Sequence, residues 1–352
     1  MSERLWLIGR DPAMMRRADG SGADLPRNWL PDWRQADPKR IAAMLERALA
    51  KPTGGWVVLD AIRAIKERPR KYLVAGREVV AWWCGVPGKE GLRVAEDFCP
   101  HMGAELSKGR IDKEGRILCP WHGLPVAGAS SGRPANQLRV FDDGVLAWIQ
   151  IPELCTERDP PSPCPKLPKR PARFLDATIR MEARCEARDV LANRLDPWHG
   201  VHFHPHSFAR LYVVDEGPDH ITVRVVYRIF GRLGIEVDAR FDCPDARTIV
   251  MTIVAGEGIG SVVETHATPI DAGRTAIIEA TLATSDRWSV ISWLPLAGRW
   301  LRPIIQKRAR MLWREDVDYC ERIAQIRRRG FDMWSIDHGL QTTQRLNPEI
   351  GC

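Results

Sequence analysis

The chain has 352 residues, enough for two ordinary domains, each with its own core. A formal charge of +7 and a pI near 9.0 would suit nucleic acid or an anionic membrane, but the basic groupings at 63–71, 165–173, 299–314 and 327–329 are dispersed. They carry no nucleic-acid motif, no apolar run is long enough to cross a bilayer, and no cleavable leader pattern is evident. A cytoplasmic protein without a nucleic-acid partner is therefore expected.

In chain order, residues 1–53 are read as an arm ending in a helix over 38–50, where Ile41, Met44, Leu45 and Leu49 recur on one face. From residue 54 the apolar period shortens to two. Segments 56–59, 71–74 and 78–83 are expected strands of a small all-β domain spanning 54–151, which further strand material over 140–151 closes.

Inside that domain stand Cys99-Pro-His101 and Cys119-Pro-Trp-His122, with seventeen residues between the inner pair. Two thiolates on one iron and two neutral imidazoles on the other would leave the second iron less electron-rich and raise its potential. A Cys2His2 zinc site offers the same donors, yet zinc needs no amide N–H groups aimed at bridging sulfides. Here Gly103, Gly109, Gly115 and Gly123 supply the turns that bring such groups close. The arrangement resembles the Rieske signature and implies a [2Fe-2S] cluster. By comparison with respiratory-chain Rieske proteins, the positions of their additional disulfide correspond to Ala104 and Trp121, which implies the lower potential of oxygenase-type centres. The other seven cysteines have no framework spacing, as a reducing compartment would favour.

Prolines at 152, 160, 161, 163, 165, 168 and 171 make residues 152–173 an expected linker, since none of them can donate to a helix or a ladder. Beyond it, in 174–352, a helical region is expected over 183–199. Alternating strands follow over 221–229, 235–241, 248–254, 260–268 and 274–283, and a helix over 303–328. The predicted fold class is α+β: an N-terminal all-β cluster domain and a C-terminal antiparallel sheet with covering helices.

The first of those helical regions holds Asp196-Pro-Trp-His199-Gly-Val-His-Phe-His204. Two imidazoles and a carboxylate leave coordination positions open on mononuclear Fe(II), which then has room for O2 beside a substrate. Five residues apart, His199 and His204 would diverge by roughly 140° on a regular helix. The helix is therefore expected to distort at Pro197 and Gly200.

Together the two motifs resemble the Rieske non-haem iron oxygenases, specifically the terminal oxygenase or α subunit, over residues 50–330. The resemblance implies a helix-grip-like catalytic domain in which His199 and His204 are iron ligands. It implies that Asp196 bridges to His101 or His122 of a neighbouring subunit. The third ligand would be Asp316, nine residues before Gln325, with Asp318 as the competing choice. It also implies O2 as co-substrate, an organic substrate, a ferredoxin or flavin reductase as electron donor, and a homotrimer. His202 and His206 are expected beside the iron site or its pocket. Lys108, Arg110, Lys113 and Arg116 could steer an acidic ferredoxin.

Two departures mark a divergent branch: Gly-Leu-Pro-Val-Ala-Gly after His122, where an aromatic and an acid are usual, and Ala192 before Asn193. Fourteen tryptophans and an amphipathic stretch over 293–313 incline the reading toward a bulky apolar substrate and leave peripheral membrane contact open. The competing reading is an electron carrier or ligand-binding protein with a vestigial iron site.

Overall fold

The computed structural model describes residues 5–8, 17–18, 36–126, 137–230, 233–285 and 297–334. Two short strands, β1 (Leu5–Ile8) and β2 (Arg17–Ala18), precede helix α1 (Pro38–Leu49). α1 starts where the Asp37 side chain accepts the Lys39 N–H and Pro38 takes the first helical position. Ile41, Met44, Leu45 and Ala48 form its buried face, whereas Leu49 is exposed. The 100° step per residue carries Leu49 past the edge of that face, and Ala48 takes the place expected for it.

The cluster domain is built from ten elements. They are β3 (Trp56–Ala61), α2 (Ile62–Glu67), β4 (Arg70–Val74), β5 (Arg77–Cys84), β6 (Gly91–Glu96), β7 (Arg110–Ile111), β8 (Ile117–Leu118), β9 (Pro125–Val126), β10 (Val140–Asp142) and β11 (Leu146–Gln150). They make three antiparallel three-stranded sheets: β10-β11-β3, β4-β5-β6 and β7-β8-β9. β6 was not anticipated, although Leu92 and Val94 alternate inward along it; its charged flanks hide the pattern. The proline-dense stretch forms only a single 3-10 turn at Pro152–Leu154 and an isolated bridge between Thr156 and Asp159.

After it come β12 (Leu175–Ala183), α3 (Ala187–Leu195), α4 (His199–Phe203), β13 (Phe208–Glu216), β14 (His220–Phe230), β15 (Leu233–Asp245), β16 (Thr248–Gly256), β17 (Val262–Asp271), β18 (Arg274–Ala283) and α5 (Ala297–Arg328). The sheet runs β12-β18-β17-β16-β15-β14-β13 antiparallel, and β1 joins the start of β15 as a parallel strand. β12 and β13 are additions to the expected strand set.

Alternation along β18 explains how the two halves of the molecule meet. Thr275, Ile277 and Glu279 face the helices, where the Ile277 side packs with Leu191, Trp198 and Trp313. Ala276, Ile278, Ala280 and Leu282 face the other way, into a core shared with Trp56, Val58, Leu146 and Trp148 of the cluster domain. Polar ties reinforce that contact: Thr268 donates to the Val58 carbonyl at 2.6 Å, and the β4–β5 turn donates Ala75 and Gly76 N–H to the carbonyls of Pro269 and Ile270. Arg170 completes the joint. Its guanidinium reaches Glu264 at 2.6 Å and Asp143 at 2.9 Å, both almost fully buried.

Candidate functional site

The two Cys-Pro loops repeat one backbone design. Cys99 N–H donates to Ala104 O and Cys99 O accepts from Gly103 N–H, both at 2.8 Å; Cys119 N–H donates to Leu124 O and Cys119 O accepts from Gly123 N–H. Gly103 (φ 82°) and Gly123 (φ 68°) make these returns in the left-handed region. Both thiols are buried on Val80, Trp82, Leu106 and Ile117, while His101 and His122 lie exposed at the rim with ring centroids 4.9 Å apart. Burial raises the Cys99 thiol. At Cys119 burial acts the same way, but the N–H groups of Trp121 and His122 outweigh it and hold the thiol below its ordinary value. Two buried sulfurs, two imidazoles at the rim and inward N–H groups fit a [2Fe-2S] cluster. Phe98, Met102, Trp121 and Leu124 surround it as an exposed apolar collar. Of the four cations proposed to steer a ferredoxin, Lys108 is paired with Glu105, and Arg116 with Asp112 and Glu114.

The second centre sits where α3 breaks. Pro197 ends the helix, Asp196 caps it through its own N–H, and α4 restarts at His199 in a new direction. The break brings His199 and His204 together: His199 Nε2 lies 3.0 Å and His204 Nε2 2.9 Å from Asp316 Oδ1, and the three donor atoms all fall within 4.8 Å of one another. Asp318 is exposed and outside this group. Burial would neutralise Asp316, but the two imidazoles dominate and hold its carboxyl far below the usual range. Two imidazoles and one ionised carboxylate suit a ferrous ion.

Asp196 is also buried, and burial raises its pKa. Its backbone carbonyl takes the His199 Nδ1 bond, and its carboxylate Oδ2 stands 3.9 Å from the same nitrogen while accepting the Tyr319 hydroxyl at 3.0 Å. Oδ1 has no partner among the described residues. The helical break turns the carbonyl toward the ring. Sequence reading missed three further groups: Tyr319, whose ring lies 5.1 Å from that of His199; Glu315, which holds His204 Nδ1; and the Asn193 side chain, which donates to Asp316 Oδ1 at 3.1 Å. Glu315 and Tyr319 lie one residue before and three after Asp316, so helical spacing around that ligand was the available signal. His206 stands 3.9 Å from Glu315, and His202 is exposed.

Beside the triad a small cavity of about 60 Å³ is lined by Phe208, Leu211, Val225, Tyr227, Phe241, Met251 and Leu312. Arg194 closes its inner end, paired with Glu279 and stacked 4.5 Å over Trp313, whose indole N–H also donates to Glu279. At the far end of α3, Arg327 of α5 clasps the buried Asp189. The helices that carry the ligands are thus fixed to each other at both ends.

A Cys2His2 cluster fold joined to a helix-covered antiparallel sheet with a His2Asp centre defines a two-centre, Rieske-type architecture, homologous to Rieske oxygenase α subunits. Over residues 156–331, half of its length, the chain belongs to the family described as a domain of unknown function (DUF5914), and residues 55–139 match the Rieske [2Fe-2S] domain. It is similar to the vanillate O-demethylase oxygenase subunit of Pseudomonas sp. (strain HR199 / DSM 7063), 33% identical over 93 residues, which are 26% of this chain and 25% of that protein. It is also similar to the oxygenase component of 3-ketosteroid-9-alpha-monooxygenase from Rhodococcus rhodochrous, 26% identical over 55% of this chain and 54% of that one. The chain therefore spans about half the length of these curated relatives, or less. Dicamba monooxygenase bound to dicamba shares the fold, with a TM-score of 0.56 and 16% identity over 83% of this chain and 96% of that chain.

Proposed function

We propose that the chain is the oxygenase component of a Rieske-type non-haem iron system, oxidising an apolar organic substrate with O2. One observation carries this reading: the His199, His204 and Asp316 donors converge at the inner end of an apolar cavity in a chain that also bears a Rieske domain. Cys99 and Cys119 would hold one iron of the cluster, His101 and His122 the other. His199, His204 and Asp316 would hold Fe(II). When bound, the cluster supplies single electrons and the ferrous ion a place for O2 to be activated beside a substrate.

The chain's own residues define the rest. Glu315 and the Asp196 carbonyl hold the Nδ1 atoms of His204 and His199, so that each Nε2 is free to ligate. Asn193 restrains the free swing of Asp316. Phe208, Phe241 and Met251 make this side of the cavity apolar and favour an apolar organic molecule; hydroxylation is the simplest outcome.

Electrons would come from an external ferredoxin or flavin reductase and cross between subunits of a cyclic homotrimer. Supporting this, His101 and His122 lie exposed among apolar Phe98, Met102, Trp121 and Leu124, and buried Asp196 keeps one oxygen without a partner among the described residues. The free thiols among the described residues fit a reducing compartment such as the cytoplasm.

The test is iron and sulfide analysis with EPR of the reduced holoprotein. About three irons and two sulfides per chain are expected. Asp316→Asn and His204→Ala should each lose the additional iron and keep the cluster signal. A wild-type chain with a complete cluster and no further iron would overturn the reading in favour of an electron carrier with a vestigial second site.

A further inference from the structure

The first half of α5 presents a face that nothing among the described residues covers. From Ala297 to Arg314 the helix contains no Asp or Glu. Trp300, Ile304, Lys307, Met311 and Arg314 recur every three or four residues, so they share one side of the helix, and all five are exposed. Trp300 is 72% and Ile304 62% exposed, values that place large apolar groups almost wholly in water. Two further cations of this half turn inward: Arg302 bonds Asp176 at 2.8 Å, and Arg308 donates to the Arg228 backbone carbonyl. Lys307, Arg310 and Arg314 meet no acid among the described residues.

A row of exposed apolar groups interleaved with unopposed cations on a convex helix selects its partner by charge and shape. A second copy packed face to face on this patch would set Lys307, Arg310 and Arg314 against their own counterparts. The combination fits a surface that is apolar below and anionic at its edge. We propose that this face seats α5 on a membrane containing anionic lipid. Trp300, Leu301 and Ile304 would enter the headgroup–acyl boundary, and Lys307, Arg310 and Arg314 would lie at the phosphates.

The consequence for substrate supply rests on the oxygenase reading above. Leu312 and Asp316, on another side of the same helix, line the cavity, roughly 12–24 Å along the axis from Trp300 and Ile304. A molecule dissolved in the bilayer would enter without crossing bulk water.

The test is co-sedimentation of the purified full-length holoprotein with vesicles of phosphatidylcholine alone or mixed with phosphatidylglycerol. Binding should require the anionic lipid and weaken with salt. It should fall about tenfold or more in Lys307→Glu/Arg310→Glu, and also fall in Trp300→Ser/Ile304→Ser, with iron content unchanged in both variants. Absence of binding at low salt, binding unaffected by either variant, or a self-associated oligomer that Trp300→Ser/Ile304→Ser dissolves would each overturn the proposal. The readout needs no turnover, and His204→Ala protein should bind vesicles like wild type, so failure of the membrane contact and failure of the iron site are separable.

Discussion

Glu315 illustrates what one side chain next to a ligand contributes. It is only partly buried, yet it takes the Nδ1 side of His204 and thereby fixes which nitrogen is left to coordinate. Glu315→Ala should weaken ferrous binding by about 10- to 100-fold while leaving the cluster's EPR signal intact, and Glu315→Gln should recover part of the loss because it still offers an acceptor. Titration of cluster-loaded, iron-depleted protein with Fe(II) measures both. The convergence of His199, His204 and Asp316 was foreseeable from the sequence because two motifs with different chemistry stand in one chain, each supplying what the other lacks. Their supports were not. Tyr319 bonds Asp196 across 123 positions, and no local pattern announces a partner that only the packing of α5 on α3 creates. The Asp196 backbone carbonyl as partner of His199 was equally hidden, because it depends on Pro197 ending the helix there.

The cluster hairpins depend on close approach of backbone to backbone. Gly109 lies where a Cβ would stand 2.3 Å from the Leu118 carbonyl oxygen and 2.9 Å from that of Leu106, and neither can yield without opening the β7–β8 pair. Gly109→Ala should therefore destabilise the cluster domain by about 1–3 kcal/mol. Thermal unfolding and loss of the visible absorbance of the cluster on mild heating are the checks, and an unchanged midpoint would count against this account. Elements with strong alternation, such as β14 through β18, were evident from periodicity alone. β12 and β13 were not: β12 was masked by its charged positions, and β13 was overshadowed by the histidine cluster that precedes it. The helix expected over 303–328 begins earlier, at Ala297, and carries Pro303 inside it. As the seventh residue of the helix, that proline removes the ladder bond its N–H would make to the carbonyl four residues back. Residues 293–296 of the predicted amphipathic stretch lie outside the described residues.

Across the whole molecule, Arg170 joins the linker to both domains through two buried carboxylates. Burial alone would raise Asp143 and Glu264, but pairing with Arg170 outweighs it and lowers both. A lowered folded-state pKa means the contribution to stability is complete above the unfolded carboxyl value of about 4 and is lost as pH falls below it. Arg170→Met should cost about 3–5 kcal/mol at neutral pH, since it strands two buried charges. It should also flatten the acid limb of the stability profile, as urea titrations between neutral and acidic pH would record. The docking itself followed from no single motif, because it relies on β18 being buried on both faces although Thr275 and Glu279 make one of them partly polar, a burial that alternation in the sequence does not reveal.

The core shared by Trp56, Val58 and Trp148 with β17 and β18 has a kinetic corollary. A cluster domain bolted to the sheet by packed tryptophans cannot act as a swinging arm that ferries charge on a tether. On the two-centre reading proposed above, the distance an electron would travel is fixed by this docking, and thickening the solvent should leave the transfer step as fast as before.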